Sequence, residues 1–269
     1  MHEILRNLPA GARVLDLGSR DGSFPEECCP AALIVRLDQE PSSGDWGGTF
    51  VQADAVRLPF SDGSFDTIVA NHSLEHVHEL PAVLREIGRA VRAGGSLYVA
   101  VPDASTFTDN LYRWIYHGGG HINPFRSADE LARQIALSTG LLLAGTRILC
   151  SSFGFLERRH FHPRPPRRLW LLGNGNSKVI VLLSYVLRVL DRILGTRTSV
   201  YGWAFYFGEV SEEIEAAPWT NVYVSCGAGH SSASLRVGNM IKSTFLLFKS
   251  YNCSNCGAWN LFTEDARHA

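Results

Sequence analysis

"VLDLGSRDGSF", residues 14–24, runs from an apolar segment through Asp16 into a turn bracketed by Gly18 and Gly22. An apolar strand, a carboxylate near its end and a glycine turn bring backbone N–H donors to the carboxyl edge of a sheet, where nucleotide-containing ligands bind in open α/β folds. The stretch departs from the dinucleotide fingerprint G-x-G-x-x-G, because Arg20 stands at the middle glycine and Ser23 at the third. Taken alone, such a turn is equally an ordinary strand-to-helix connection. The downstream residues decide between the two.

Downstream, the pattern repeats. Apolar runs at 13–18, 33–38 ("LIVRLD"), 49–52 and 65–71 ("FDTIVAN") read as strands, with a helix-sized interval beginning near Gly22 between the first two. From Glu79 to Arg92, Leu80, Val83, Leu84, Ile87 and Val91 recur at helical spacing, and "AGG" stops that helix before another strand, "SLYVAVP". Residues 127–139 form the next helix, capped by Ser127 with Glu130 three positions on, carrying Leu131, Ile135 and Leu137, and ended by Gly140. "LLLAGTRILC" and then "YGWAFYFGEV" at 201–210 supply the late strands. Near-continuous apolar strands alternating with helices predict a doubly wound, mostly parallel α/β sheet of Rossmann-like type. Between the late strands, the basic, proline-rich "RRHFHPRPPRRLW" and the apolar "VIVLLSYVLRVLDRILG" at 179–195 predict a helical insertion at about 155–200. The expected organisation is one domain over 1–210 and a small module over 211–269.

The totals narrow the function classes. A net charge of -1 over 269 residues gives no bulk signal for nucleic-acid binding, and six cysteines are too few for a disulfide scaffold. Arg188, Asp191 and Arg192 interrupt the most apolar segment, so no transmembrane segment is expected. The N-terminal residues lack a secretory pattern, which leads to the expectation of a cytoplasmic protein. Nothing spells the nucleophile elbow of a Ser-His-Asp hydrolase.

The ordered set "VLDLGSRDG", "LIVRLD", "VQADAVRLPFSDGSFDTIVANHSLEHV" and "LREIGRAVRAGGSLYVAVPD" resembles the class I S-adenosylmethionine-dependent methyltransferases over roughly residues 10–150. The resemblance implies that Asp16, Gly18, Ser19, Arg20 and Gly22 surround the methionine portion and sugar of S-adenosylmethionine. It further implies that Asp38 binds ribose, that Asp54 and Ala55 approach adenine, and that Asn71, His72 and Leu74 close the pocket beneath the sulfonium. The family commonly has glycine where Arg20 sits; Arg20 either holds the donor or obstructs it.

Methyl transfer needs an acceptor lone pair held in line, and a base where the acceptor is a hydroxyl. His72 and His76 follow the fourth strand on the ligand-bearing edge, and His121 lies in the glycine-rich "GGGHINPF"; these three are the candidate bases, each with a packing role as its alternative. The expected reaction is methyl transfer to oxygen or nitrogen of a small-molecule acceptor such as a natural product or glycan. Open alternatives are a binding or scaffold protein that has lost turnover, and a nicotinamide-dependent oxidoreductase. The inserted helix is expected as a buried, lid-like or surface-seeking element or as a homodimer contact.

Near the C-terminus, "VSCGAGHSS" places Cys226 and His230 with three residues between them, and "YNCSNCGAWN" gives Cys253 and Cys256 C-x-x-C spacing. Together they supply four sulfur and nitrogen ligands for a closed tetrahedral structural zinc site, an arrangement that resembles zinc-ribbon termini. A redox pair or free packed cysteines are the alternatives.

Overall fold

The structure, a computed structural model, describes the chain except residues 21, 42–47, 118, 162–165, 215–217, 245–247 and 266–269. Asp21 of the glycine turn and the centre of the basic, proline-rich stretch therefore lie outside the described residues. The principal strands are β1 (Arg13–Leu17), β2 (Leu33–Asp38), β3 (Thr49–Gln52), β4 (Phe65–Asn71), β5 (Val91–Pro102), β6 (Leu143–Cys150) and β7 (Val200–Gly208). The helices are α1 (His2–Leu5), α2 (Leu80–Ala90), α3 (Phe107–Ile115), α4 (Ala128–Thr139), α5 (Ser177–Leu194) and α6 (Ser232–Val237).

The seven strands form one sheet in the order β3-β2-β1-β4-β5-β7-β6. β1 pairs in parallel with β2 and β4, β2 with β3, and β4 with β5. The chain builds outward from β1 to β3, then returns to place β4 on the other side of β1. The order of the strands reverses between β1 and β4, and in open α/β sheets ligands bind beyond the strand ends at such a switch point. β1 and β4 are buried along nearly their whole length, with Val14, Leu15, Ile68 and Val69 fully inaccessible, as central parallel strands covered on both faces must be.

The expected helical elements form where amphipathic spacing is strong. α2 buries Leu80, Val83, Leu84 and Ile87. α4 is capped by Ser127, whose hydroxyl accepts the Glu130 N–H, and ends at Gly140 in the left-handed conformation. The helix expected after Gly22 does not form. Only a 3-10 turn, Glu26–Cys28, occupies the connection, because Pro25 and Pro30 bracket a stretch too short to sustain an i to i−4 ladder. α3 is an addition to the expected elements; Thr106 caps it by accepting the Asp109 N–H.

The chain divides into two compact units. The first comprises Met1–Asp103, Gly120–Arg147 and Trp203–Ala216; the second comprises Ala104–Gly119, Ile148–Gly202 and Ala217–Ala269. In the second, Phe153, Leu156, Leu169, Ile180, Val181 and Leu261 are members of one buried cluster, so the insertion and the C-terminal segment share a core. That segment carries the short hairpin β8 (Asn221–Val222) and β9 (Gly229–His230), then an antiparallel sheet of β10 (Lys242–Thr244), β11 (Phe248–Asn252) and β12 (Trp259–Leu261).

Candidate active site

The turn after β1 is held by its neighbour strand. The Leu37 carbonyl accepts the N–H groups of Gly18 at 2.8 Å and Ser19 at 3.0 Å. Gly18 has φ +68°, and a Cβ there would stand 2.4 Å from Ser73 Cβ, so the turn after β1 and the loop after β4 approach closely only because this residue is glycine. Gly22 likewise has φ +89°. Ser19 and Ser73 present buried hydroxyls with no hydrogen-bond partner here, the kind of orphaned polar atom that a ligand's polar groups would satisfy.

Asp16 is fully buried, and its Oδ1 has no hydrogen-bond partner. Its Oδ2 accepts the Ser23 N–H at 2.9 Å and pairs with Arg36 Nη1 at 2.6 Å. Burial pushes the Asp16 carboxyl up, against the lowering exerted by Ser23 and the Arg36 guanidinium. Asp16 and Arg36 are register partners on adjacent parallel strands, so the pair is a consequence of the topology. Arg36 also donates to the Phe24 carbonyl at 2.9 Å and lies over the Phe24 ring. Together these bonds tie down the far side of the glycine turn. In the sequence, "LIVRLD" reads as a plain apolar strand and Arg36 is missed; the signal that could have found it is a lone cation beside a strand bearing a lone carboxylate.

Arg20 adopts φ +41°, a conformation that favours glycine, and its side chain is exposed. Its N–H donates to Asp38 Oδ2 at 2.8 Å, while the Glu40 N–H meets Asp38 Oδ1 at 3.0 Å. Asp38 is thus fixed at the end of β2 with lone pairs to spare. One position further across the sheet, exposed Asp54 accepts the Val56 N–H at 3.0 Å beside half-buried Ala55.

The loop after β4 carries the second group. Asn71 ends the strand, His72 turns at φ +55° with its N–H on the Ala100 carbonyl, and Leu74 is fully buried. Glu75 is 1% exposed, and Oε1 lies 3.6 Å from His72 Nδ1. His76 Nδ1 hydrogen-bonds the Gly120 carbonyl at 3.0 Å, and its ring meets that of His121 edge-on at 5.0 Å. The Glu75 carbonyl accepts the N–H groups of Ile122 and Asn123, and the Asn123 amide donates to the carbonyls of Leu74 and Val77. These bonds clip Gly120, Ile122 and Asn123 onto the β4 loop. Glu75, His76 and His121 then offer ligand-type atoms all within 4.8 Å of one another. His121, distant in sequence, is therefore the neighbour of His76, and Glu75 reaches both this pair and His72; Glu75 and Asn123 escape a sequence reading because neither stands out without the fold.

A family model described as "Methyltransferase domain" matches residues 1–138. The chain belongs to the methyltransferase domain family. This methyltransferase domain is 34% identical over 100 residues to a demethylmenaquinone methyltransferase of Roseiflexus sp. (strain RS-1), covering 33% of this chain and 42% of that protein. It is 30% identical over 129 residues to a malonyl-[acyl-carrier protein] O-methyltransferase of Legionella pneumophila, covering 43% of this chain and 45% of that one. The chain spans about half the length, or less, of the curated relatives it matches. A Bacillus halodurans crystal structure described as a methyltransferase shares the fold with a TM-score of 0.50 and 16% identity over 75% of this chain and 93% of that one. No described helix is long and apolar enough to cross a membrane.

In the second unit the late cysteines converge as their spacing predicts. Cys226 Sγ lies 3.6 Å from Cys253 Sγ and 3.4 Å from Cys256 Sγ, and His230 Nε2 lies 3.5 Å from Cys253 Sγ. Each cysteine segment sits on a tight knuckle: the Gly227 N–H returns to the Tyr223 carbonyl, and the Gly257 N–H to that of Cys253. The sulfur separations approach those set by ligands about 2.3 Å from a common tetrahedral zinc. Burial holds His230 below the usual imidazole range, keeping it in the neutral form that ligates a cation.

Proposed function

We propose that the protein transfers a methyl group from S-adenosylmethionine to an oxygen or nitrogen of a small molecule. The observation that carries the reading is the fixed Asp38 carboxylate beside the Gly18 turn, with Asp54 just beyond the end of the next strand. The residues fit the cofactor: glycine at 18 and 22 puts no side chain on the turn at those positions, and the orphaned Ser19 and Ser73 hydroxyls await polar partners. Asp38 would accept the ribose hydroxyls, Asp54 and the Ala55 N–H would address adenine, and Asn71, His72 and Leu74 would form the wall beneath the reacting group. Asp16, held by Arg36 and Ser23, shapes Gly18, Ser19, Arg20 and Gly22 from behind. When bound, the cofactor supplies an electrophilic methyl group.

His121 takes the acceptor proton in this reading. His76, locked by Gly120, orients it, and His72 lines the cofactor wall with Glu75 steadying its ring. Relatives named for a quinone and for an acyl-carrier-linked acid support a small or carrier-linked acceptor. A natural product or glycan is the acceptor class we favour. The Arg20 departure favours one second reading, a binding protein that retains the cofactor without turnover. In the second unit we infer a structural zinc on Cys226, His230, Cys253 and Cys256, since four ligands leave no open position for water.

Calorimetry with S-adenosylmethionine and with NAD tests the cofactor. Heat with the former alone is expected, weakened at least about tenfold in Asp38→Ala; no heat with either ligand would overturn the assignment. On an acceptor identified from a metabolite panel, His121→Ala should lower kcat by about a hundredfold and remove the acid limb of the pH profile. Binding without turnover on any acceptor would select the second reading.

A further inference from the structure

α5 is apolar on two opposite sides. One side packs inward through Ile180, Val181 and Ser184. On the other, Val179, Leu182, Val186, Leu190 and Ile193 recur at helical spacing as one stripe, each at least 40% exposed, with no charged residue among them. Just before α5, Trp170 and Leu171 are 75% and 69% exposed. A surface of this kind is costly in water and marks a binding face.

The charge around the stripe says what covers it. Residues 158–197 contain nine Lys and Arg against a single acidic residue, Asp191. The carboxylate of Asp191 accepts from Thr196, Thr198 and Ser199, and its single charge leaves the segment strongly cationic. Arg158, Arg167, Lys178, Arg192 and Arg197 are exposed, with Lys178 and Arg192 standing beside the stripe on the helix itself. A second copy of the chain would bring two such cationic surfaces together, and repulsion would oppose the hydrophobic gain. A surface presenting anions above an apolar layer satisfies both features at once.

We propose that α5 and the Trp170 turn form an interfacial docking surface for an anionic lipid bilayer. The stripe enters the headgroup–acyl boundary while the flanking arginines and lysine stay with the phosphates. The helix lies on the bilayer, because it is not apolar enough to cross it. The inference goes beyond the methyl-transfer reading and does not depend on it.

Flotation of the full chain with vesicles of phosphatidylcholine, with and without phosphatidylglycerol, tests the proposal. The protein should float with phosphatidylglycerol-containing vesicles and be released at high salt. Leu182→Glu with Leu190→Glu should abolish binding. Lys178→Gln with Arg192→Gln should weaken it roughly twentyfold, both pairs keeping the near-ultraviolet circular dichroism of the parent. Failure of the parent chain to float, flotation of both variants equal to that of the parent, or a dimer in sedimentation equilibrium that the leucine substitutions dissolve without any vesicle binding would each overturn it.

Discussion

Asp16 and Arg36 show how one pair of side chains conditions the candidate site. Both are almost completely inaccessible, so each relies on the other for the solvation it has lost. Removing one partner strands a buried charge. Arg36→Met should therefore cost about 3–5 kcal/mol of stability in urea unfolding, and adding Asp16→Asn should recover part of that loss because no unpaired charge remains. An additive double mutant would show that the two residues act independently. Arg20 answers a narrower question. Its residue type suggests a direct role at the cofactor, but its backbone N–H carries the contact with Asp38 while its side chain is exposed. The acidic series Asp16, Asp38, Asp54 is legible from residue types alone; that Asp16 faces inward is not, because one-dimensional pattern does not say which neighbour a carboxylate meets.

At the scale of elements, periodicity and caps are the reliable signals. α4 begins at Ser127 and stops at Gly140 as the cap residues dictate. α2 and α4 approach closely through Gly88, where a Cβ would lie 2.7 Å from Thr139 Cα. The link from α5 to β7 depends on Asp191, which accepts from the hydroxyls of Thr196, Thr198 and Ser199 and from the N–H groups of Thr198 and Ser199. Burial alone would raise this carboxyl; the hydrogen bonds from Ser199, Thr196 and Thr198 prevail and hold it below its ordinary value. A carboxyl depressed in the folded state stabilises fully above its unfolded value, and the contribution disappears as pH falls through that range to the folded value. Asp191→Asn should cost about 1–3 kcal/mol at neutral pH. The difference from the parent chain should shrink on acidification, as read from urea midpoints at two pH values; an equal difference at both would rule out the carboxylate.

At the scale of the whole molecule, chain order and compact units part company. The segment after residue 210 is expected from its cysteine spacing to form a small module, and Val224 and Leu261 of that segment share a buried cluster with Phe153, Leu156 and Ile180 of the insertion. Arg188 in α5 donates to the carbonyls of Ser151 and Val222, which ties the insertion to the strand leading into the Cys226 knuckle. Metal at the cysteine cluster would therefore stabilise more than the terminal residues. Metal analysis of protein purified without added metal should find about one zinc per chain. Chelation or Cys253→Ser should lower Tm by about 10 °C or more; metal-free protein with an unchanged Tm would exclude the structural zinc.

The sequence by itself determined the strand and helix alternation, the acidic residues Asp16, Asp38 and Asp54 at or just beyond the ends of β1, β2 and β3, and the cluster of late cysteines with His230 beside it. These are local facts, written in spacing and in the few residue types that turns, caps and ligands accept. Tertiary structure alone decided that Asp16 pairs with Arg36, that Glu75 reaches both His72 and the pair His76 and His121, and that α5 keeps one apolar side uncovered. Each of these depends on which distant segments pack together, and packing selects partners by shape and burial across the chain rather than by order along it.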